Sequence, residues 1–170
     1  MKKDFVFFWG GCYSNWFPSK FNIDNVSYKN VEQYMMAQKA LLFDDIETYD
    51  KIMSKSNPRD IKALGRLVKN FDVKKWSEVS RDIVYKGVKA KFLQNKQLLK
   101  ELLSHKHETF VEASPEDKIW GIGLAENDPR AWDKKTWLGS NWLGETITKV
   151  RDELINAEHA SFNKDASVNK

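Results

Sequence analysis

A carboxylate and an amine stand seven residues apart in the otherwise apolar stretch VEQYMMAQKALLF, residues 31 to 43. Read as a helix, its spacings of three, four and seven put Glu32, Met35, Met36 and Lys39 on one side. Lys39 has two readings. In the ordinary one its stem lies on apolar surface and its amine snorkels into water. In the other the amine is held on the apolar side of the helix, in company with the Glu32 carboxylate. Glu32 is open in the same way: a first-turn carboxylate favours the helix dipole without any further role, or it works beside the amine. The helical rise sets the two residues about 10.5 Å apart along the axis, so only their long side chains could meet one ligand. Met35 and Met36 suit a core as readily as a ligand surface.

Chemistry-bearing residues recur further along. In SPEDKIWG, Asp117 lies beside Lys118 and three residues before Trp120, in a turn where loop residues can converge on a cleft. Glu112, between Val111 and Ala113, alternates away from them and faces either solvent or a site. Gly121 and Gly123 permit close backbone approach or mark sheet kinks. Arg66, Lys69, Arg81 and Lys91 sit on helices that also carry apolar faces; most read as solvated charges, and one or two suit a phosphate clamp. Gly10-Gly11 is no phosphate loop, because the lysine and the following Ser or Thr are missing.

The elements that must position these residues follow from caps and breakers. FVFFW (5 to 9) and VSYKN read as strands, the second after a turn at residues 22 to 25. Asn30 with Gln33 three residues on resembles a capping box for the first helix. Asp44-Asp45 breaks that helix and starts another through about Ser54. Asn57-Pro58 caps a third with proline at its first position. A long helix is expected from Val73 to Leu93, and NKQLLKELLSH makes a further one with leucines at helical spacing. TFVEAS and IWGIGL are the later strand candidates, NDPRAWDKKTWLGSN is a loop, and residues 141 to 157 form a last amphipathic helix. A polar, mobile tail is expected from His159. The order predicts a predominantly helical α+β single domain with a small sheet, over residues 1 to 158.

Composition bounds the function. With 170 residues, 41% hydrophobic and seven Trp, the chain has mass for one core, which excludes global disorder. A net charge of +4 and a pI near 9.0 are compatible with phosphorylated ligands and too weak alone to define a nucleic-acid binder. Cys12 is the single cysteine, so no internal disulfide forms and a reducing compartment is expected. His105, His107 and His159 lack a metal-ligand spacing, and no metal or cofactor is expected. The apolar run near the start is about five residues, short of the roughly 7 to 15 of a signal peptide, and nothing approaches the roughly 20 of a membrane span. The expectation is a cytoplasmic monomer with no membrane contact.

Six blocks in order, YSNWFPSKF, VEQYMMAQKALLF, ALGRLVKNFD, VKAKFLQN, VEASPEDKIWGIGL and WLGSNWLG, resemble the NADAR superfamily, the YbiA-like N-glycosidases, over about residues 5 to 155. The family lysine is kept as Lys39, and the family acid and tryptophan as Asp117 and Trp120. Gln33 stands where the family often has a histidine, so any role of that histidine is lost.

The resemblance implies cleavage of the bond between a ribose C1 and an exocyclic amine. Two substrate types go with the family: ADP-ribose on guanine in DNA or RNA, which we favour, and the phosphorylated ribosylaminopyrimidines of early riboflavin synthesis. Such a glycosylamine opens to an imine, exchanges with a lysine amine and is hydrolysed as a Schiff base. The catalytic set implied is Lys39 as nucleophile, Glu32 for proton transfer or for the ribose hydroxyls, and Asp117 as a second candidate acid/base group. Asn15 is expected on the ribose, Arg66 and Lys69 on phosphate, Glu112 among the substrate-binding residues, and Trp120 as a stacking surface for the base or a wall of the pocket. Two rival classes stay open, a non-catalytic ADP-ribose-binding module and an interaction domain whose aromatics are only core.

Overall fold

The computed structural model describes residues 4–168. Its elements are β1 (Phe5–Phe8), β2 (Phe21–Ile23), β3 (Val26–Tyr28), α1 (Val31–Leu42), α2 (Ile46–Ser54), α3 (Pro58–Gly65), α4 (Val73–Leu93), α5 (Lys96–Ser104), β4 (Thr109–Glu112) and α6 (Trp142–Val168). The fold is α+β and predominantly helical, as expected. Its strands form two two-stranded sheets rather than one small one. Contacts group the chain into two compact units, Trp9–Leu98 and the described residues of Met1–Phe8 with Leu99–Lys170.

In the unit Trp9–Leu98, α1 packs against α2, α3 and α4. Burial on several sides explains why Val31 to Ala37 are all buried, instead of one stripe. The Asn30 side chain accepts the Gln33 N–H at 2.8 Å, while Gln33 Oε1 accepts the Lys29 N–H at 2.9 Å, one residue before the expected cap partner. Gln33 Nε2 donates to the carbonyls of Ile52 and Lys55 at 3.2 and 3.1 Å, tying the end of α2 to α1. Two glycines permit the close helix crossings. A Cβ on Gly65 would run into the Met36 sulfur, and one on Gly87 would come within 2.8 Å of the Tyr34 ring. α4 covers the expected span, opened by the Asp72 side chain accepting the Lys74 and Lys75 N–H groups. The second strand expectation needs correction: β2 already includes Asn22 and Ile23, and the turn is Asp24-Asn25, both with positive φ (51° and 65°). That pair of left-handed residues makes the tight hairpin turn that matches strand twist.

In the other unit β1 runs parallel to β4, pairing Phe5 with Thr109 through Phe8 with Glu112. Val111, Ile122, Leu124 and Ala131 form its core, with Phe5, Phe7 and Trp137 packed against it. The fully buried Asn141 acts as a splice: its Nδ2 donates to Phe110 O at 3.0 Å and its Oδ1 accepts the Glu112 N–H at 3.0 Å. IWGIGL is not a strand. Its amides make isolated bonds, Ile122 N–H to Glu112 O at 2.9 Å and Gly123 N–H to Asp117 O at 3.1 Å, and Gly123 has φ +69°. The last helix continues past residue 157 to Val168, through the polar segment from His159. No glycine or proline interrupts it after Gly144, and its residues from Asn156 to Ser167 are exposed.

Candidate functional site

Lys39 lies in the last turn of α1 and is half-buried. Its Nζ donates to the Gly65 carbonyl at 2.8 Å, at the C-terminal end of α3, where carbonyl dipoles favour a cation. The same amine lies 4.4 Å from the Phe71 ring centre and 5.9 Å from that of Trp76. Burial pulls its pKa below the usual lysine value; Glu32 opposes that shift and Arg66 adds to it. Glu32 and Arg66 therefore both act on the Lys39 amine. Arg66 follows α3 directly and is exposed, while Glu32 is buried.

The loop Gly11 to Phe17 is bound to the start of α1. Asn15 O accepts the Glu32 N–H at 3.0 Å, satisfying a first-turn amide that has no partner within the helix. The loop is tightened by Ser14 N–H to Gly11 O at 3.0 Å and Phe17 N–H to Ser14 O at 3.1 Å. Asn15 is 7% exposed, and its Oδ1 is buried with no hydrogen-bond partner among the described residues. Beneath the same loop Lys91 is 1% exposed, and its Nζ donates to Ser14 O at 3.0 Å. Burial draws the Lys91 amine from its ordinary 10.5 down to about 7, with Cys12 opposing. Of the four basic residues read mostly as solvated charges, Lys91 is therefore one that is not. Its signal was present: Val84, Gly87, Val88, Lys91 and Phe92 share helical spacing, and all are buried. Phe71, against the Lys39 amine, was also missed; it lies in the connection between α3 and α4, where no periodicity points to a face.

Lys69 is placed differently from its expected phosphate role. It is exposed, its ammonium lies 3.7 Å from Glu47, and its N–H bonds to Asp45 Oδ2 at 3.0 Å. It borders a recess of about 320 Å³ that Asp44, Asp45 and Glu47 also line, so carboxylates dominate its surroundings. The Asp45 acid is held below the usual range by the Lys69 N–H and by the Thr48 side chain and N–H.

Glu112, Asp117 and Trp120 belong to the other unit and meet around Gly121. A Cβ on Gly121 would lie 2.9 Å from Asp117 O and 3.0 Å from Glu112 O. Asp117 Oδ1 accepts the N–H groups of Ile119 and Trp120 at 2.9 and 2.8 Å, so one carboxylate oxygen shapes the turn. The Trp120 ring packs edge-on to Trp142, with centres 5.5 Å apart. Glu112 is half-buried between the buried Val111 and Ala113, in keeping with strand alternation. Among the described residues no three His, Cys, Asp or Glu side chains group as metal ligands, and no helix is long and apolar enough to cross a membrane.

The model of the NADAR domain family matches residues 7–155. An N-glycosidase of Acanthamoeba polyphaga mimivirus is 43% identical over 88% of this chain and 95% of its own length. An N-glycosidase of Nostoc punctiforme is 32% identical over 86% of each. A riboflavin biosynthesis protein of Vibrio vulnificus is 28% identical over 90% of this chain, which spans only 37% of that longer protein. The solution structure of the Escherichia coli protein YbiA superposes with a TM-score of 0.76, at 24% identity over 93% of this chain and 89% of that one, a likeness of fold. The chain belongs to the NADAR domain family.

Proposed function

We propose that the chain is an N-glycosidase acting through Lys39 on a ribose that carries an exocyclic amine at C1. The observation that carries this is the Lys39 amine: half-buried, drawn below the usual lysine pKa, and held against Gly65 O and the Phe71 ring rather than by a carboxylate. A neutral fraction of that amine has the lone pair a carbonyl-type carbon requires. In the ring-opened glycosylamine, the Lys39 nitrogen bonds to C1 and the C1–N bond to the departing amine breaks. The leaving nitrogen takes up two protons in becoming an amine, matched by the two the Lys39 nitrogen gives up, and a carboxyl group relays them; Glu32 and Asp117 are the candidates. Water then adds to the C1=N bond, and its collapse frees the sugar aldehyde and returns Lys39 as an amine. Asn15 supplies an acceptor to the sugar hydroxyls, and Glu112 and Trp120 are the candidates for substrate contact offered by the other unit. Arg66 takes the phosphate role, with Lys69 subordinate because Glu47 and Asp45 already engage it.

Of the two substrates we favour ADP-ribose on guanine in DNA or RNA. The segment from Arg66 to Lys75 leads past the Lys39 amine with Leu67, Phe71 and Val73 exposed between Arg66, Lys69, Lys74 and Lys75. Apolar and basic groups interleaved in this way suit bases and phosphates of a strand. The second reading, a ribosylaminopyrimidine phosphate, is supported by the relatives named riboflavin biosynthesis proteins. In either case the protein works as a cytoplasmic monomer without a cofactor. Incubation with an ADP-ribosylated guanine oligonucleotide and, in parallel, with the pyrimidine substrate tests both, by the base or amine released. Borohydride added during turnover should leave a sugar adduct on the Lys39 peptide. Normal turnover by Lys39→Ala would overturn the mechanism. Binding of ADP-ribose without turnover of either substrate would make the chain a binding module.

A further inference from the structure

Lys91 is the one fully buried lysine among the described residues, and the proposed chemistry does not use it. An ammonium has three donors. Here one acceptor meets it, Ser14 O at 3.0 Å, and no carboxylate of the described residues lies within ion-pair distance. Around it stand two aromatic rings, with Nζ 5.2 Å from the Phe92 ring centre and 5.9 Å from that of Phe17, and the Cys12 thiol acts on it electrostatically. A leucine or methionine would fill that place without the desolvation penalty. Nor does Ser14 O depend on it, because the Phe17 N–H bonds to the same oxygen.

What the amine does engage is the peptide next to Asn15. Lys91 holds the carbonyl before Asn15, and the Glu32 N–H holds the carbonyl of Asn15 itself. Asn15 is clamped from α4 on one side and from α1 on the other. Its side chain extends from that fixed peptide with a buried Oδ1 that no described group satisfies. An unmet buried acceptor destabilises a fold unless something pairs with it.

We propose that Lys91 is a positioning residue: by holding the Ser14 carbonyl it fixes the Asn15 peptide, and with it the start of α1 at Glu32 and the Asn15 carboxamide as an acceptor for a sugar hydroxyl. Its link to turnover rests on the reading of Glu32 and of a ribosyl substrate above, whereas the clamp does not. The low Lys91 pKa fits this role, since a neutral amine still donates to Ser14 O.

The test compares Lys91→Met and Lys91→Gln with wild type by steady-state kinetics and by amide hydrogen exchange in NMR. In Lys91→Met the Glu32 N–H should exchange about tenfold faster or more, while Ala37 and Ala40 in the same helix keep their protection, the sign of local rather than global opening. With the preferred substrate, kcat should fall about tenfold or more and KM change far less, as expected when a transition-state contact is displaced. Lys91→Gln, shorter but still a donor, should fall between the two. Wild-type kinetics with wild-type exchange at Glu32 would overturn the proposal. So would exchange that quickens equally throughout α1, because that is loss of stability alone. If wild type turns over neither substrate, the functional reading fails, and exchange at Glu32 still decides the clamp.

Discussion

Replacing Lys91 by methionine should change how stability depends on pH, in a direction opposite to that of most core truncations. Burial draws the folded-state pKa from 10.5 to about 7, so between those values the unfolded chain holds a proton that the folded chain does not. Stability therefore rises with pH through this window, and the full penalty is present below about pH 7. A depression of this size corresponds to about 5 kcal/mol at low pH, at ~1.4 kcal/mol per unit, and the side chain is too buried for solvent to screen it. Lys91→Met removes that penalty and the hydrogen bond to Ser14 O, a loss of about 1 to 3 kcal/mol. The variant should be more stable than wild type at pH 7 by about 2 kcal/mol, and no more stable once the wild-type lysine is neutral in both states.

Urea unfolding of both proteins between about pH 7 and 9.5 provides the measurement, because the slope with denaturant reports whether the same surface unfolds. Ionisations that do not act on Lys91 cancel in the difference, and Cys12, whose charge does act on it, is replaced by serine in both proteins. The upper limit keeps clear of tyrosines such as Tyr28, which burial pushes up to about 12. Wild type should gain about 3 kcal/mol relative to Lys91→Met across this range. Parallel curves would mean that Lys91 is not desolvated as its burial and single acceptor imply, and would refute the reasoning.

Gly65→Ala should destabilise the fold by about 1 to 3 kcal/mol, because the new Cβ meets the Met36 sulfur; urea unfolding checks it, and Met36→Ala in the same chain should relieve part of the effect. Asp117→Ala removes the acceptor for two N–H groups and should destabilise by about 1 to 2 kcal/mol, whereas Asp117→Asn keeps an accepting oxygen and should melt near wild type. Loss of turnover in the stable Asn variant would mark Asp117 as the proton donor, and retained turnover would leave Glu32. The logarithm of kcat/KM should rise with pH as the Lys39 amine, its pKa lowered by burial, loses its proton; a pH-independent rate would exclude an amine nucleophile.

Helices were legible wherever a cap and a periodicity agreed. The helix expected from Val73 to Leu93 is α4 at its observed bounds, its Asp72 cap found only in the structure, and Asn57-Pro58 opens α3 as its residue types require. IWGIGL misled because its apolar residues alternate with glycines, as in a strand. The Asp117 carboxylate bends the chain there by taking two amides, and that bond is invisible to alternation. In the candidate site, Lys39 and Glu32 were legible because they share a helix, so spacing alone relates them. Lys69 was not, since its pairing with Glu47 depends on how the connection after α3 meets the start of α2. Lys91 was legible in principle. Its spacing with Val84, Val88 and Phe92 marks a buried face, but residue type argued for solvent, and packing prevailed.

The proposed imine chemistry sets two conditions, and they separate the two lysines. A nucleophile must be partly desolvated to lose its proton, yet open enough for a sugar carbon to reach it. Lys39 meets both conditions: it is half-buried, and the Phe71 ring over its amine is itself 45% exposed. Lys91 meets only the first. It is sealed under the Ser14 carbonyl and two aromatic rings, and no substrate carbon could approach without opening the loop Gly11 to Phe17. A more strongly lowered pKa therefore does not mark the better nucleophile, and the reactive amine is assigned by access, with the pKa as a second condition. In the role proposed for it, the buried lysine serves that chemistry from behind, through the two carbonyls that flank the Asn15 backbone nitrogen and side chain, one held by α4 and the other by the amide of Glu32.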